Sequence, residues 1–312
     1  MPDTLPSFSF QPARRQGVGL FVGVAGGTGS GKTFSALRIA RGIAGPNGKI
    51  AAIDTEARRM SHYSDRFKFD VADLAPPFRP ERFAQAAEAA EKAGYAVLVI
   101  DSMTHEWAGE GGVLDWHDQL KGDDERQNMR AWIKPKTAHK AMIGSFLQRR
   151  IPLVFCFRAE EKVKVGAGGK PEPQGWMPIG DPRFMFELTT MLTLSNEAPG
   201  LVSYKLPRKI QEQHLAMFPD GKPITEQAGE QLAAWARGDE PVDKAVEIAD
   251  QLVKLAADAA TEDALLNCHA GEKEAKQMAA LKSRRPELYK RVNDAVEARR
   301  AALQGQADGA SR

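Results

Sequence analysis

Cysteine is almost missing from this chain: of 312 residues only Cys156 and Cys268 carry thiols, far apart in sequence. That excludes a disulfide framework and a thiolate zinc site, and it fits a reducing, cytoplasmic setting. Long apolar runs are missing too. None reaches the roughly eighteen residues a membrane span needs, so no membrane partner is expected. The opening stretch MPDTLPSFSFQPARRQ lacks the apolar centre of a secretory signal. An excess of either charge is absent: the formal net charge is +2, so nucleic-acid contact would have to come from local patches. The six histidines (His62, His105, His117, His139, His214, His269) show no metal-ligand spacing, and His105 and His117 read as a cap and a surface residue. No nucleophile elbow or Cys/His dyad marks a hydrolase of another kind. There is no internal repeat. What remains, 42% hydrophobic and 27% charged, is a globular composition long enough for one large domain and a smaller one.

Residues 1–16, rich in Pro and Ser, read as an N-terminal arm. Short apolar runs follow at Leu20–Ala25, Ile50–Asp54, Ala96–Asp101 and Pro152–Phe157, each like a buried strand. Helix-like stretches precede or follow them: Phe34–Ile43, Glu81–Ala93 with Pro80 at its start and Gly94 at its end, and Lys140–Gln148. Alternation of this kind predicts an α/β fold, a mostly parallel sheet flanked by helices. Leu188–Leu194 and Leu201–Leu206 would extend it, the latter antiparallel. Near Gly238–Pro241 (GDEP) the texture changes. Val242–Ala257, Glu262–His269, Lys273–Lys282 and Pro286–Leu303 read as helices, with Thr261 capping the second. The expected division is an arm at 1–16, a core at 17–238, a small C-terminal helical domain at 241–303 and a disordered tail at 304–312.

The segment Gly26-Gly27-Thr28-Gly29-Ser30-Gly31-Lys32-Thr33 is a complete G-x-x-x-x-G-K-[ST] phosphate loop between a strand and a helix. Its glycines permit the tight turn, and backbone amides with the helix N-terminus favour phosphate. Lys32 is expected at the β- and γ-phosphates of ATP, and the Thr33 hydroxyl at Mg²⁺. Asp101 ends an apolar strand (AVLVID), where it would hold Mg²⁺ as well; the plainer alternative is a helix N-cap. Glu56, in IDTE just past a strand, is placed to polarise the water that attacks the γ-phosphate. Its alternative is a solvated carboxylate, and Glu106 (THEWAGE) is a rival base.

GGTGSGKT, IDTE, VLVIDS and VFCFR, in that order, resemble the core of RecA-like P-loop ATPases over about Gly17–Ile224. The resemblance implies a RecA-like core, hydrolysis of ATP with Glu56 as base, and Asp101 on Mg²⁺. It implies that Arg158 stands where the family senses the γ-phosphate; RecA itself has glutamine there. It implies that Lys205, Arg208 and Lys209 (YKLPRK) reach a neighbouring subunit's nucleotide in a ring or filament. IDTEARRMSHY, VIDSMTHEWAGEGGVLDW and the Ala/Lys/Arg-rich tail further resemble phage-encoded RecA-like ATPases of single-strand annealing and recombination, which would act in a bacterial host cell.

In such a core two segments face single-stranded DNA. The first, about Gly109–Lys140, holds Lys121, Arg126, Arg130, Trp132, Lys134, Lys136 and Lys140. The second, a loop at about Ala159–Arg183, holds Lys162, Lys164, Lys170 and Trp176. Cations for phosphates beside rings for bases suit a single strand; the alternative is a charged loop whose tryptophan packs on the core. The basic end of the tail (Lys282, Arg284, Arg285, Lys290, Arg291, Arg299, Arg300) would contact nucleic acid or another replication protein, such as a single-strand-binding protein. Phe10 and Ala13 match a Phe-x-x-Ala polymerisation arm of eukaryotic and archaeal RecA relatives. Two other functions remain open: a P-loop kinase of a small molecule, with Arg58, Arg59 and Arg66 as lid, and a nucleotide-gated recruitment module that hydrolyses little.

Overall fold

The computed structural model describes residues 19–165, 171–238 and 244–309. The chain divides into two compact units, Met1–Glu240 and Pro241–Arg312. The arm at 1–16, with Phe10 and Ala13, lies outside the described residues, as do Lys170 and residues 239–243.

The first unit is built on an eight-stranded sheet. Its strands are β1 (Phe21–Gly26), β2 (Ile50–Asp54), β3 (Asp70–Asp73), β4 (Val97–Asp101), β5 (Leu153–Val165), β6 (Pro171–Pro178), β7 (Thr190–Leu194) and β8 (Arg208–Lys209). The order is β3-β2-β4-β5-β1-β7-β8, with β6 paired to β5. The central pairs run parallel, and only β6 and β8 run antiparallel to their neighbours. A mostly parallel sheet flanked by helices is the α/β architecture expected. β1 shows why its run is continuously apolar. Val22 and Val24 face one core while Phe21 and Ala25 face the other, so both faces must be apolar.

Helices α1 (Lys32–Ala44) and α8 (Glu226–Arg237) cover one face, and α2 (Pro80–Lys92) and α6 (Ile133–Leu147) the other. Between these lie α3 (Thr104–Ala108), α4 (Val113–Lys121), α5 (Asn128–Ala131) and α7 (Pro182–Glu187). α1 and α8 approach very closely. A Cβ on Gly42 would stand 1.9 Å from the Glu226 carbonyl oxygen, and one on Gly229 would stand 2.1 Å from that of Ile39. Neither position admits a side chain.

Several expectations are corrected. Leu201–Leu206 is not a strand. Gly200, at φ 76°, turns the chain, and Val202 exchanges backbone bonds with Gly221 and Lys222. The antiparallel edge is instead β8. The Gly109–Lys140 segment is not a loop but the helices α4, α5 and most of α6, because its apolar residues Val113, Ala131, Ala138 and Met142 are buried. The expected loop at 159–183 is largely a hairpin of β5 and β6, bulged between Lys162 and Val163. Pro171, Pro173 and Pro178 lie on β6, which pairs only with β5.

The second unit holds α9 (Lys244–Asp258), α10 (Glu262–Ala270), α11 (Glu272–Arg284) and α12 (Pro286–Gly309). Thr261 caps α10, its Oγ1 accepting the Ala264 N–H at 3.2 Å. Leu252, Met278, Leu281, Leu288 and Val292 form one small core, and Ala256, Leu265 and Val296 another. Residues 304–309, expected to be disordered, continue α12; glycines at 305 and 309 weaken a helix without forbidding it. No helix among the described residues is long and apolar enough to cross a membrane.

Candidate functional site

The site forms at the carboxyl ends of β1, β2, β4 and β5. β1 ends in Gly26, where a Cβ would lie 2.3 Å from Ser30 Oγ and 2.8 Å from the Leu194 carbonyl oxygen. Gly29 and Gly31 adopt φ 79° and 80°, open to glycine at little cost. A Cβ on Gly31 would lie 2.9 Å from the Gly200 nitrogen, whose N–H donates to the Ser30 carbonyl at 2.9 Å. The chain thus closes a turn and enters α1 at Lys32 with no side-chain cap on its first amides. Uncapped amides at a helix N-terminus are an anion site. Ser30 Oγ is buried without a partner, while Thr28 and Gly29 are exposed.

Asp101 ends β4 directly opposite Asp54 of β2. The Thr33 hydroxyl donates to Asp101 Oδ2 at 2.5 Å, so the two residues expected to share Mg²⁺ are in contact. Asp101 is not a helix cap: α3 starts at Thr104 after Met103. Burial pushes its carboxyl up to about 6. The Thr33 hydrogen bond and the Lys32 charge oppose that rise, and Glu56 and Asp54 add to it. Its Oδ1 is buried and unpartnered. An orphaned carboxylate oxygen beside a hydroxyl and the phosphate turn fits a hard divalent cation such as Mg²⁺.

Glu56 follows β2 on a turn that Asp54 builds. Asp54 Oδ1 accepts the Glu56 N–H at 2.6 Å, and its Oδ2 accepts the Met60 N–H at 2.8 Å. Ala57 and Arg58 complete the turn at φ 57° and 67°. The sequence reading missed Asp54, although an Asp two residues before a turning segment is a recognisable signal. Glu56 does not lie free in solvent. Arg158 holds it, with Nε and Nη2 both 2.9 Å from Oε1, and Arg59 Nη1 lies 3.4 Å from Oε2. Burial raises the Glu56 carboxyl, but the hydrogen bond and charge of Arg158, with the Lys32 charge, outweigh it and hold the group below its ordinary range.

Glu106 is corrected as a rival base. It is buried away from the loop, with Oε1 2.8 Å from His139 Nδ1. His105 is not a cap: its Nδ1 lies 2.6 Å from Thr55 Oγ1. His117 is not a surface residue. It is buried and stacked on Trp132, with ring centroids 3.9 Å apart.

The cations expected on nucleic acid are divided. Lys121 is paired with Glu125, and Arg126 with Asp124 at 2.9 Å. Trp132 is half-buried between His117 and the Lys136 ammonium. Arg130, Lys134, Lys136, Lys140 and Lys162 are exposed. The backbone of Lys164 lies in β5. Trp176, on β6 opposite Glu161, is half-buried. Its ring atoms lie 3.1 and 3.2 Å from where a Cβ on Gly27 would be, so it rests on the phosphate loop. Beside it a cleft of about 630 Å³ is lined by Tyr204, Lys205, Pro207 and Arg208. The Arg208 guanidinium lies over the Tyr204 ring, and Lys209 Nζ donates to the Phe186 carbonyl at 2.6 Å. Lys205 is exposed.

A family model described as an AAA domain matches residues 19–195. No curated protein matches the chain. Among solved structures the chain is similar to the KaiC-like protein PH0186 from the hyperthermophilic archaeon Pyrococcus horikoshii OT3. The identity is 19% and the TM-score 0.30, over 58% of this chain and 72% of that one.

Proposed function

The chain belongs to the AAA domain family, and from that membership we propose that it hydrolyses ATP at the Gly26–Thr33 loop and couples hydrolysis to single-stranded DNA in phage-type recombination or replication. The observation that carries the hydrolytic part is the Thr33–Asp101 contact at 2.5 Å with Asp101 Oδ1 left unpartnered. Thr33 and Asp101 would hold Mg²⁺, which neutralises phosphate charge when bound. Lys32 stabilises charge on the γ-phosphate as it develops. Glu56 orients and deprotonates the attacking water. Arg158, now paired with Glu56, would exchange that partner for the γ-phosphate.

The DNA part rests on exposed cations. Exposed Arg130, Lys134, Lys136 and Lys140 follow one another along α5 and α6, and Lys162 stands on the hairpin whose return strand touches the phosphate loop. A homo-oligomer, ring or filament, belongs to the same reading, with Lys205 and Arg208 the exposed members of the trio assigned to a neighbour's nucleotide. The helical unit would recruit a single-strand-binding or other replication protein. The kinase alternative needs free lid arginines. Arg58 is instead paired with Asp73 at 2.5 Å, Arg59 with Glu56, and Arg66 lies over Phe34.

The test is ATP turnover with and without single-stranded DNA, beside a sizing measurement with a non-hydrolysed analogue. Stimulation is expected, and Glu56→Gln should lower kcat by about 10²–10⁴-fold with nucleotide affinity kept. Turnover indifferent to DNA at low salt, with no binding to it, removes the DNA reading. A Glu56→Gln protein with undiminished turnover removes Glu56 as the base.

A further inference from the structure

The parallel ladder between β2 and β4 ends at the pair Asp54 and Asp101. The residues that matter most lie at or just past that end. Thr55 continues the registry. Its N–H donates to the Asp101 carbonyl at 2.8 Å, and its Oγ1 accepts the Ser102 N–H at 2.7 Å. A hydroxyl has one proton left to give. The Ser102 carbonyl is 3.2 Å away and His105 Nδ1 is 2.6 Å away, so the imidazole is the better acceptor. Burial, and then the Arg158 charge, hold His105 below its ordinary range, which keeps it neutral with Nδ1 available.

The imidazole is itself fixed. Phe78 stacks on it with centroids 5.0 Å apart and planes 19° apart. Phe78 is buried, its N–H donates to the Glu110 carbonyl at 2.8 Å, and Gly109 packs so closely that a Cβ there would lie 2.7 Å from Phe78 Cδ2. A line of contacts therefore runs from Glu110 through Phe78 and His105 to Thr55, the residue that precedes Glu56.

We propose that the Thr55 hydroxyl and His105 form a positioning pair that sets Glu56 against Asp101 for hydrolysis. The inference rests on the reading of Glu56 as base. Thr55 and His105 touch neither water nor phosphate in this role. Valine would fill the space of Thr55 equally well, so packing alone does not call for its hydroxyl. Loss of the pair frees Glu56 relative to Asp101 and Thr33, and a misplacement on the order of 1 Å costs about 10²-fold in rate.

The full chain with Mg²⁺ and ATP tests this in four variants: Thr55→Val, Thr55→Ser, His105→Ala and His105→Asn. Thr55→Val and His105→Ala should lower kcat by about tenfold or more, with KM for ATP and the affinity for a fluorescent ATP analogue within about twofold. Thr55→Ser keeps the hydroxyl, and His105→Asn offers Oδ1 in place of Nδ1, so both should recover most of the lost rate. If Thr55→Val does not fold, the two His105 variants decide. Wild-type turnover with His105→Ala and folded Thr55→Val at full kcat overturns this inference and leaves the ATPase reading standing. Failure of the conservative variants to rescue, with kcat, affinity and melting temperature falling together, makes the pair structural and also overturns it. A wild type without ATP turnover overturns both readings.

Discussion

Asp101 makes the metal-free protein pay for its own active site, and the cost can be read from its pH dependence. Its carboxyl ionises at about 6 in the folded chain against an ordinary 3.8, chiefly because it is buried. Between those values the folded protein retains a proton that the unfolded chain has released. Stability therefore falls as pH rises through this window. Each pKa unit corresponds to about 1.4 kcal/mol, so the whole effect is about 3 kcal/mol, fully present as a penalty above the folded value. Asp101→Asn removes the titration. The variant carries constant costs of its own, an amide where Oδ1 now lacks a partner, but these do not vary with pH. The difference in stability between Asp101→Asn and wild type should accordingly grow by about 3 kcal/mol between pH 3.5 and pH 7.5, about 5–10 °C in melting temperature for a unit of this size. All five tryptophans lie in the first unit, so their fluorescence, followed with a chelator present, reports that unit alone. A gap that stays flat or narrows with pH refutes the reasoning.

Two further outcomes follow from contacts already described. Gly42→Ala drives a methyl group into the Glu226 carbonyl and should destabilise the first unit by about 1–3 kcal/mol or more; a melting temperature equal to wild type would show that α8 is free to move. Arg158→Ala removes the partner that holds Glu56 low against burial. The Glu56 carboxyl should then ionise at higher pH, and because the ionised form is the base, the acid limb of kcat against pH should move upward. An unmoved or lowered limb separates Glu56 from that limb.

The parallel core was legible because β1, β2, β4 and β5 are buried on both faces, which leaves a continuous apolar signature. The phosphate loop was legible because glycine has few substitutes where Gly26 meets the Leu194 carbonyl. β3 was not. All four of its residues are exposed on the sheet edge, and DVAD carries no apolar run. β6 was hidden by its prolines and glycine, which suit a strand paired only with β5. In the candidate site, Thr33 was read from the G-x-x-x-x-G-K-[ST] pattern, and Glu56 and Asp101 from their places at strand ends. Asp54, Thr55 and His105 were missed because they act on backbone groups and on each other across β2 and the segment after β4. Such pairings depend on three-dimensional register, and no local pattern announces them.

The Gly42–Gly229 crossing also sets an order of events during synthesis. α1 leaves the ribosome before α8, which follows roughly 190 residues later, on the order of 10–40 s at usual elongation rates. Until then Leu37, Ile39 and Ala40 lack Ala228 and Leu232, which complete the core they share. The helix that opens at Lys32 thus waits for the last helix of its own unit. A nascent chain cut short before Glu226 would carry the phosphate loop, Glu56 and Asp101 and still lack the helix that packs on α1.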